Sequence, residues 1–198
     1  MLAAPPGLLE ELCEHARRHL GSFSARGIAM TIYAMGTLAF RQDAFLQAVC
    51  HHIEQSRSLG FSPQEISNCA LAFARLDFKH EDALHALCTR SRECLPSFKP
   101  QELSNLVYAL GLLRFKNDCH LDHLCEHISV RLGEFTPQGV SNTCYAIALL
   151  EFKHDKLLAT GCYLVSRRLR HFSAQGIANV IYASGRLRFC HHGLLMAS

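Results

Sequence analysis

The strongest constraint on this chain is a repeat. The segment Phe98 to Leu113, F-K-P-Q-E-L-S-N-L-V-Y-A-L-G-L-L, returns at Phe61 as F-S-P-Q-E-I-S-N-C-A-L-A-F-A-R-L and at Phe135 as F-T-P-Q-G-V-S-N-T-C-Y-A-I-A-L-L. It returns again at Phe23 and Phe172, with Ala25 and Ala174 in place of the proline. The five phenylalanines are spaced 38, 37, 37 and 37 residues apart. A fixed period in this range means stacked copies of one supersecondary unit, each of which buries its apolar face only against its neighbours. The expected fold is all-α, an α-solenoid of stacked helix–turn–helix repeats of 37–38 residues. It forms one array over residues 1–198: a partial repeat over 1–22, repeats starting at Phe23, Phe61, Phe98 and Phe135, and a partial repeat over 172–198.

Each unit reads as two helices. Ser62-Pro63-Gln64-Glu65 combines an N-cap serine, a proline at the first helical position and a glutamate at the third, which is a capping box. Thr136-Pro137 keeps half of it, and Ser24 and Ser173 can cap without the proline. Lys99 is a poor cap, although Pro100 and Glu102 remain. The first helix then carries apolar residues at helical spacing, as in Ile66, Ala70, Phe73 and Leu76. Small residues recur near its end (Ala34/Gly36, Ala72/Ala74, Ala109/Gly111, Ala146/Ala148, Ala183/Gly185), which predicts a tight contact with a neighbouring helix. The helix ends in Leu-x-Phe, a short polar turn follows, and Asp82, Asp118 or Asp155 favours the start of the second helix. Leu121, Leu124, Cys125, Ile128 and Leu132 give that second helix its apolar stripe. Leu9, Leu12, Cys13, Ala16 and Leu20 match the stripe spacing for spacing, so the chain opens on the second half of a unit. The extra residue of the first unit falls near Arg57–Gly60, in a connection, where insertion is cheap. We expect a segment of a longer array, with no polar cap at either end.

Cysteine usage is high, at ten. Cys13, Cys50, Cys88, Cys125 and Cys162 occupy one repeat position, as a buried small apolar side chain would. This predicts packing and reduced thiols rather than a disulfide framework. Nearly half the residues are apolar (49%) and 19% are charged, the composition of an ordered chain. No apolar run approaches the roughly 20 residues of a membrane span, so no membrane partner is expected. The formal net charge of +3 allows an anionic partner without demanding one. The opening M-L-A-A-P-P-G-L-L-E-E-L lacks early basic residues and carries Glu10 and Glu11, unlike a signal or transit peptide.

Catalysis finds no support among the motifs. There is no glycine-rich phosphate loop, no nucleophile elbow and no H-E-x-x-H, so no catalytic residue and no cofactor is expected. The nearest approach to a metal site is Cys119-His120-Leu121-Asp122-His123-Leu124-Cys125. Cys119 and His123 share a helix face, but two ligands are not a site and Cys125 belongs to the apolar stripe. Cys50-His51-His52 and Cys190-His191-His192 are weaker still. We expect no metal, and solvated or capping roles for most of the 13 histidines.

The informative stripe lies on the first helix. Gln101, Asn105, Tyr108 and Leu112 stand at i, i+4, i+7 and i+11 and form one face. Their counterparts are Gln64, Asn68, Leu71 and Arg75; Gln138, Asn142, Tyr145 and Leu149; Gln175, Asn179, Tyr182 and Arg186; and Arg26, Met30, Tyr33 and Thr37. Stacking aligns these into a polar and aromatic ladder. Amides can hydrogen-bond base edges, and tyrosine or arginine can stack on bases. Two readings stand for the asparagines: they contact RNA, or they tie neighbouring helices together. Arg41, Lys79, Lys116 and Lys153 place one cation per unit in the turn, at a spacing that suits a phosphate backbone or an ordinary solvated turn.

A helical pair of 37–38 residues with F-[ST]-P-Q-E-L-S-N-L-x-Y-A-L-x-x-L-x-F resembles the octotricopeptide repeats of green algae and is similar to the heptatricopeptide repeats of apicomplexan and related protists. The resemblance covers essentially the whole chain. Tyr or Leu stands where those repeats often carry Trp, and Met30 replaces Asn in the first unit. The resemblance implies a mitochondrial or plastid protein that binds single-stranded RNA, an organellar mRNA or rRNA. It would act in transcript stability, processing, translation or ribosome assembly, with ribosomal or other proteins as further partners. The RNA-binding candidates are Gln64, Asn68, Gln101, Asn105, Tyr108, Gln138, Asn142, Tyr145, Gln175, Asn179, Tyr182, Lys79, Lys116 and Lys153. The alternative is a protein-binding helical scaffold with no direct RNA contact, since solenoids present extended concave surfaces to partners.

Overall fold

A computed structural model describes residues 7–56 and 59–190. Arg57 and Ser58 of the expected insertion near Arg57–Gly60, the His191-His192 pair and the second half of the last unit lie outside the described residues. Among the described residues the chain forms ten α-helices and no strand: α1 (Leu8–Arg18), α2 (Ala25–Leu38), α3 (Asp43–Gln55), α4 (Pro63–Arg75), α5 (Glu81–Glu93), α6 (Pro100–Leu112), α7 (Asp118–Arg131), α8 (Pro137–Leu149), α9 (Asp155–Arg167) and α10 (Ala174–Arg186). Even-numbered helices are the first helix of a unit and odd-numbered ones the second. Single 3-10 turns at Leu20–Ser22, Leu95–Ser97, Leu132–Glu134 and Leu169–His171 lead into each following unit.

Local chemistry sets the helix ends. The Ser24, Thr136 and Ser173 hydroxyls each accept the N–H of the glycine three residues on, at 3.1 Å. The units with glutamate at that place work in the other direction: Glu65 accepts from the Ser62 N–H at 2.7 Å and Glu102 from the Lys99 N–H at 2.8 Å. Lysine has no acceptor to offer, so Glu102 is the cap of α6. The second helices are capped by Gln42, His80, Asn117 and His154, whose side chains accept from the backbone three residues on. Two of the turn histidines are thus capping groups.

The Leu-x-Phe ends are Schellman closures. In every unit the middle residue is left-handed: Ala39, Asp77, Arg114, Glu151 and Arg188 have φ of 48–51°. The phenylalanine N–H then reaches back five residues, as from Phe78 to the Phe73 carbonyl at 2.9 Å and from Phe115 to the Leu110 carbonyl at 3.0 Å.

The units stack as a solenoid. α2, α4, α6, α8 and α10 pack successively on one another in a close row. The row of α1, α3, α5, α7 and α9 is looser. Small residues make the close row possible, with Gly36 against Ala72 and Gly111 against Ala146. The core runs between the rows. Leu76, Leu113, Leu150 and Leu187, one per unit, are buried, as are Cys13, Cys50, Cys88, Cys125 and Cys162. Burial pushes the thiols of Cys50, Cys88 and Cys125 up to about 12, which keeps them protonated and inert. Leu38 occupies the same repeat position as Leu113 but is 61% exposed, on the wall of an open groove that it shares with Leu9 and Leu12 of α1.

Candidate nucleic-acid interface

Four of the five close-row helices carry the amide pair on the face left over after packing. Gln64, Gln101, Gln138 and Gln175 sit in the first turns of α4, α6, α8 and α10 and are exposed. Asn68, Asn105, Asn142 and Asn179 stand one turn on and are half-buried. Adjacent pairs share grooves. Gln101, Asn105, Gln138 and Asn142 line the groove between α6 and α8, with Lys99 and Glu134 at its mouth. Gln138 and Asn142 line the next groove as well, between α8 and α10, opposite Gln175 and Asn179 and beside His171 and Ser173. The stacking therefore brings the predicted amides into one continuous line.

The asparagines do not tie the helices together. Among the described residues, Asn68, Asn105 and Asn142 make no side-chain hydrogen bond, and Asn179 accepts only from Gln175 of its own helix, at 2.9 Å. The serine before Asn68, Asn105 and Asn142 packs in that place instead. Ser67, Ser104 and Ser141 are buried. Ser104 donates across to the Gly139 carbonyl at 3.4 Å, and a methyl on Gly176 would stand 2.8 Å from the Ser141 hydroxyl oxygen. In the recurring Ser-Asn dipeptide the serine serves the helix contact, and the asparagine keeps a donor and an acceptor open to the groove.

Aromatic groups continue the line. The rings of Tyr145 and Tyr182 lie 5.6 Å apart across the α8–α10 boundary. The Arg75 guanidinium stands 4.9 Å over the Tyr33 ring, across the α2–α4 boundary. Tyr108 is half-buried between them in α6. The ladder is thus partly self-stacked, with faces and edges at the surface.

The turn cations lie elsewhere. Gln64 is at the start of α4 and Lys79 beyond its end, a helix length of roughly 16 Å away from Gln64 to Arg75 alone at 1.5 Å per residue. Each is also matched by an acid two residues on: Lys79 with Glu81 at 2.8 Å, Lys116 with Asp118 at 3.6 Å, Lys153 with Asp155 at 3.4 Å and Arg41 with Asp43 at 2.6 Å. Lys79 holds the Glu81 carboxyl below its usual range, and Arg41 does the same to Asp43. The structure does not bring Lys79, Lys116 and Lys153 together with the glutamine and asparagine line.

The metal-like cluster does not converge. Cys119 and His123 are exposed, and a ring nitrogen of His123 hydrogen-bonds the Cys119 carbonyl at 2.7 Å. Cys125 is buried in the core. Among the described residues no three His, Cys, Asp or Glu side chains are placed to hold a metal ion, and no helix is long and apolar enough to cross a membrane.

Sequence reasoning passed over the cations that do share an edge with the amides. Arg167, Arg168 and Arg170 are exposed at the end of α9 and in the turn before α10, and His171 of that turn lines the α8–α10 groove. The signal was available: no Asp or Glu follows Asp155, while six Lys and Arg do.

Compared with known proteins, the chain matches no family model and no curated protein.

Proposed function

We propose that this solenoid binds single-stranded RNA along the close row of first helices, with bases entering the grooves between them. One observation carries the reading: a Gln/Asn amide pair recurs in four of the five units, on the face that packing leaves free and with no bond to a neighbouring helix, in line with tyrosines of which Tyr145 and Tyr182 meet across a unit boundary. Open amides supply donors and acceptors to the edges of unstacked bases, and aromatic faces accept bases of any identity. At one base per unit, as in other helical-repeat readers, the array takes about five nucleotides. The repeat pattern's resemblance to octotricopeptide and heptatricopeptide arrays supports an organellar role, in a mitochondrion or plastid, on an mRNA or rRNA. Recognition rather than catalysis is the proposed activity.

A second reading has its own observation. The space between α1 and α2 is lined by Leu9, Leu12, Ala16, Met35, Leu38 and Phe40, and Leu12 and Leu38 are largely exposed. An apolar groove of this kind suits a protein partner.

Mobility-shift titration with random-sequence pools of single-stranded RNA and DNA separates the two. RNA binding at low salt that weakens when Asn105, Asn142 and Asn179 are changed together to Leu is the expected result. No RNA binding at low salt would discard the RNA reading in favour of the scaffold.

A further inference from the structure

The charge of this chain is gathered at one end of the amide line. Up to Asp155 acids outnumber Lys and Arg, and after it there are only cations. Among the described residues of the array nine cations are matched by carboxylates. Arg17 and Arg18 hold Glu14, Arg131 holds Glu134 at 3.0 Å, Lys156 holds Glu126, Arg186 holds Glu151, and the turn cations hold their own acids. Arg167 and Arg170 have no hydrogen bond and no ion pair among the described residues, and Arg168 reaches only the Gly133 carbonyl, at 3.4 Å. Three exposed guanidinium groups within four residues therefore stand without a carboxylate.

Their position matters as much as their charge. Gly133, which Arg168 touches, lies in the turn that leads into α8, and Arg170 adjoins His171 on the wall of the α8–α10 groove. No Asp or Glu lines that groove, whereas at the mouth of the α6–α8 groove Glu134 stands opposite the single cation Lys99. This arginine cluster and the acid-free amide groove share one edge. The lysine line runs along the opposite edge, at the far ends of the same helices.

We propose that Arg167, Arg168 and Arg170 anchor the phosphates of a bound single strand, and that the base next to them enters the α8–α10 groove against Gln138, Asn142, Gln175 and Asn179. This rests on the RNA reading above and adds a polarity to it: the strand is held electrostatically at the α9–α10 end, and its remaining bases run toward α4 over grooves that attract phosphate less. Guanidinium groups suit the task because each can hold two phosphate oxygens at once.

The test compares two triple variants of the full chain, R167A/R168A/R170A and K79A/K116A/K153A, by fluorescence anisotropy. The probe is a 12-nucleotide random-sequence single-stranded RNA, titrated across a range of salt. The arginine variant is expected to bind at least tenfold more weakly at low salt, with the slope of log affinity against log salt reduced by about 2, at roughly 0.7 per phosphate. The lysine variant keeps the parent's slope. An R167K/R168K/R170K variant restores most of the slope, which separates charge from folding. Loss of slope in the lysine variant with none in the arginine variant overturns the proposal but leaves RNA binding standing. A parent that binds no RNA overturns both. Equal affinity for a polyglutamate peptide, lost in the same arginine variant, overturns the RNA assignment in favour of an acidic protein partner.

Discussion

A methyl group on Gly111 of α6 would stand 2.8 Å from both the Cα and the Cβ of Ala146 in α8. Gly185 of α10 occupies the same repeat position and would meet nothing within 4 Å. One substitution should therefore have opposite effects at the two places. Gly111→Ala gains up to about 1 kcal/mol of helix propensity but forces two packed helices apart, an overpacking cost of about 1–3 kcal/mol. Gly185→Ala keeps the propensity gain alone. Thermal unfolding should show the first variant melting below the parent and the second above it. Shifts of the same sign would mean that the close row does not depend on the small-residue contact.

The same comparison across repeats applies to leucine. Leu113 is 6% exposed and Leu38 61%, at equivalent positions. Leu113→Ala should destabilise by about 2–5 kcal/mol, the usual range for a core leucine. Leu38→Ala should change stability by no more than about 0.5 kcal/mol, as for other surface positions. Urea unfolding measures both, and similar losses in the two variants would show that the face of α2 beside α1 is covered in solution.

Legibility followed locality. The period, the helix starts at Ser62 and Thr136 and the small-residue contact could be read because each depends on neighbours in sequence, or on one rule applied in every unit. The self-matching of Lys79 with Glu81 and of Lys153 with Asp155 was equally local, but regular spacing drew attention to the cations and away from their acids. The division of labour in Ser-Asn was not readable, because both residues recur and only the packing of α6 on α8 decides which of them faces the neighbour. The left-handed turn residues were hidden for a different reason: glycine usually marks such a position, and here five other residues fill it.

That last point has a consequence for Arg114. Its φ of 48° is a conformation that L-residues adopt at a cost of about 1–2 kcal/mol. Glycine relieves the strain and returns part of the gain as extra freedom in the unfolded chain, about 0.4–1 kcal/mol. Arg114→Gly should raise stability by roughly 0.5–1 kcal/mol on these figures. A lowered unfolding midpoint would mean that the arginine side chain contributes more to the turn than its backbone loses.

His120 carries the clearest pH dependence in the described fold. It stands in α7 at the repeat position held by Phe45, Ala83 and Leu157, and it is 2% exposed. Neither ring nitrogen has a hydrogen-bond partner. Burial, with the nearby positive charge of Arg92 and the neighbouring His123, pushes its basicity down to about 4. In the unfolded chain the imidazole titrates near 6.5, so between those values the unfolded state binds more protons and stability falls as pH falls. Above about 6.5 the residue has no such effect, and at pH 5 linkage gives a loss of about 2 kcal/mol. His120→Leu should remove that loss and also relieve the unpaired nitrogens, adding about 1 kcal/mol at pH 7. Half-buried His127, whose basicity is likewise lowered by burial, remains in both proteins and cancels in the comparison. Urea unfolding of parent and variant at pH 7 and pH 5 gives the four stabilities required. The variant should lose about 2 kcal/mol less than the parent between the two pH values. Equal losses would place the acid sensitivity of this solenoid somewhere other than His120.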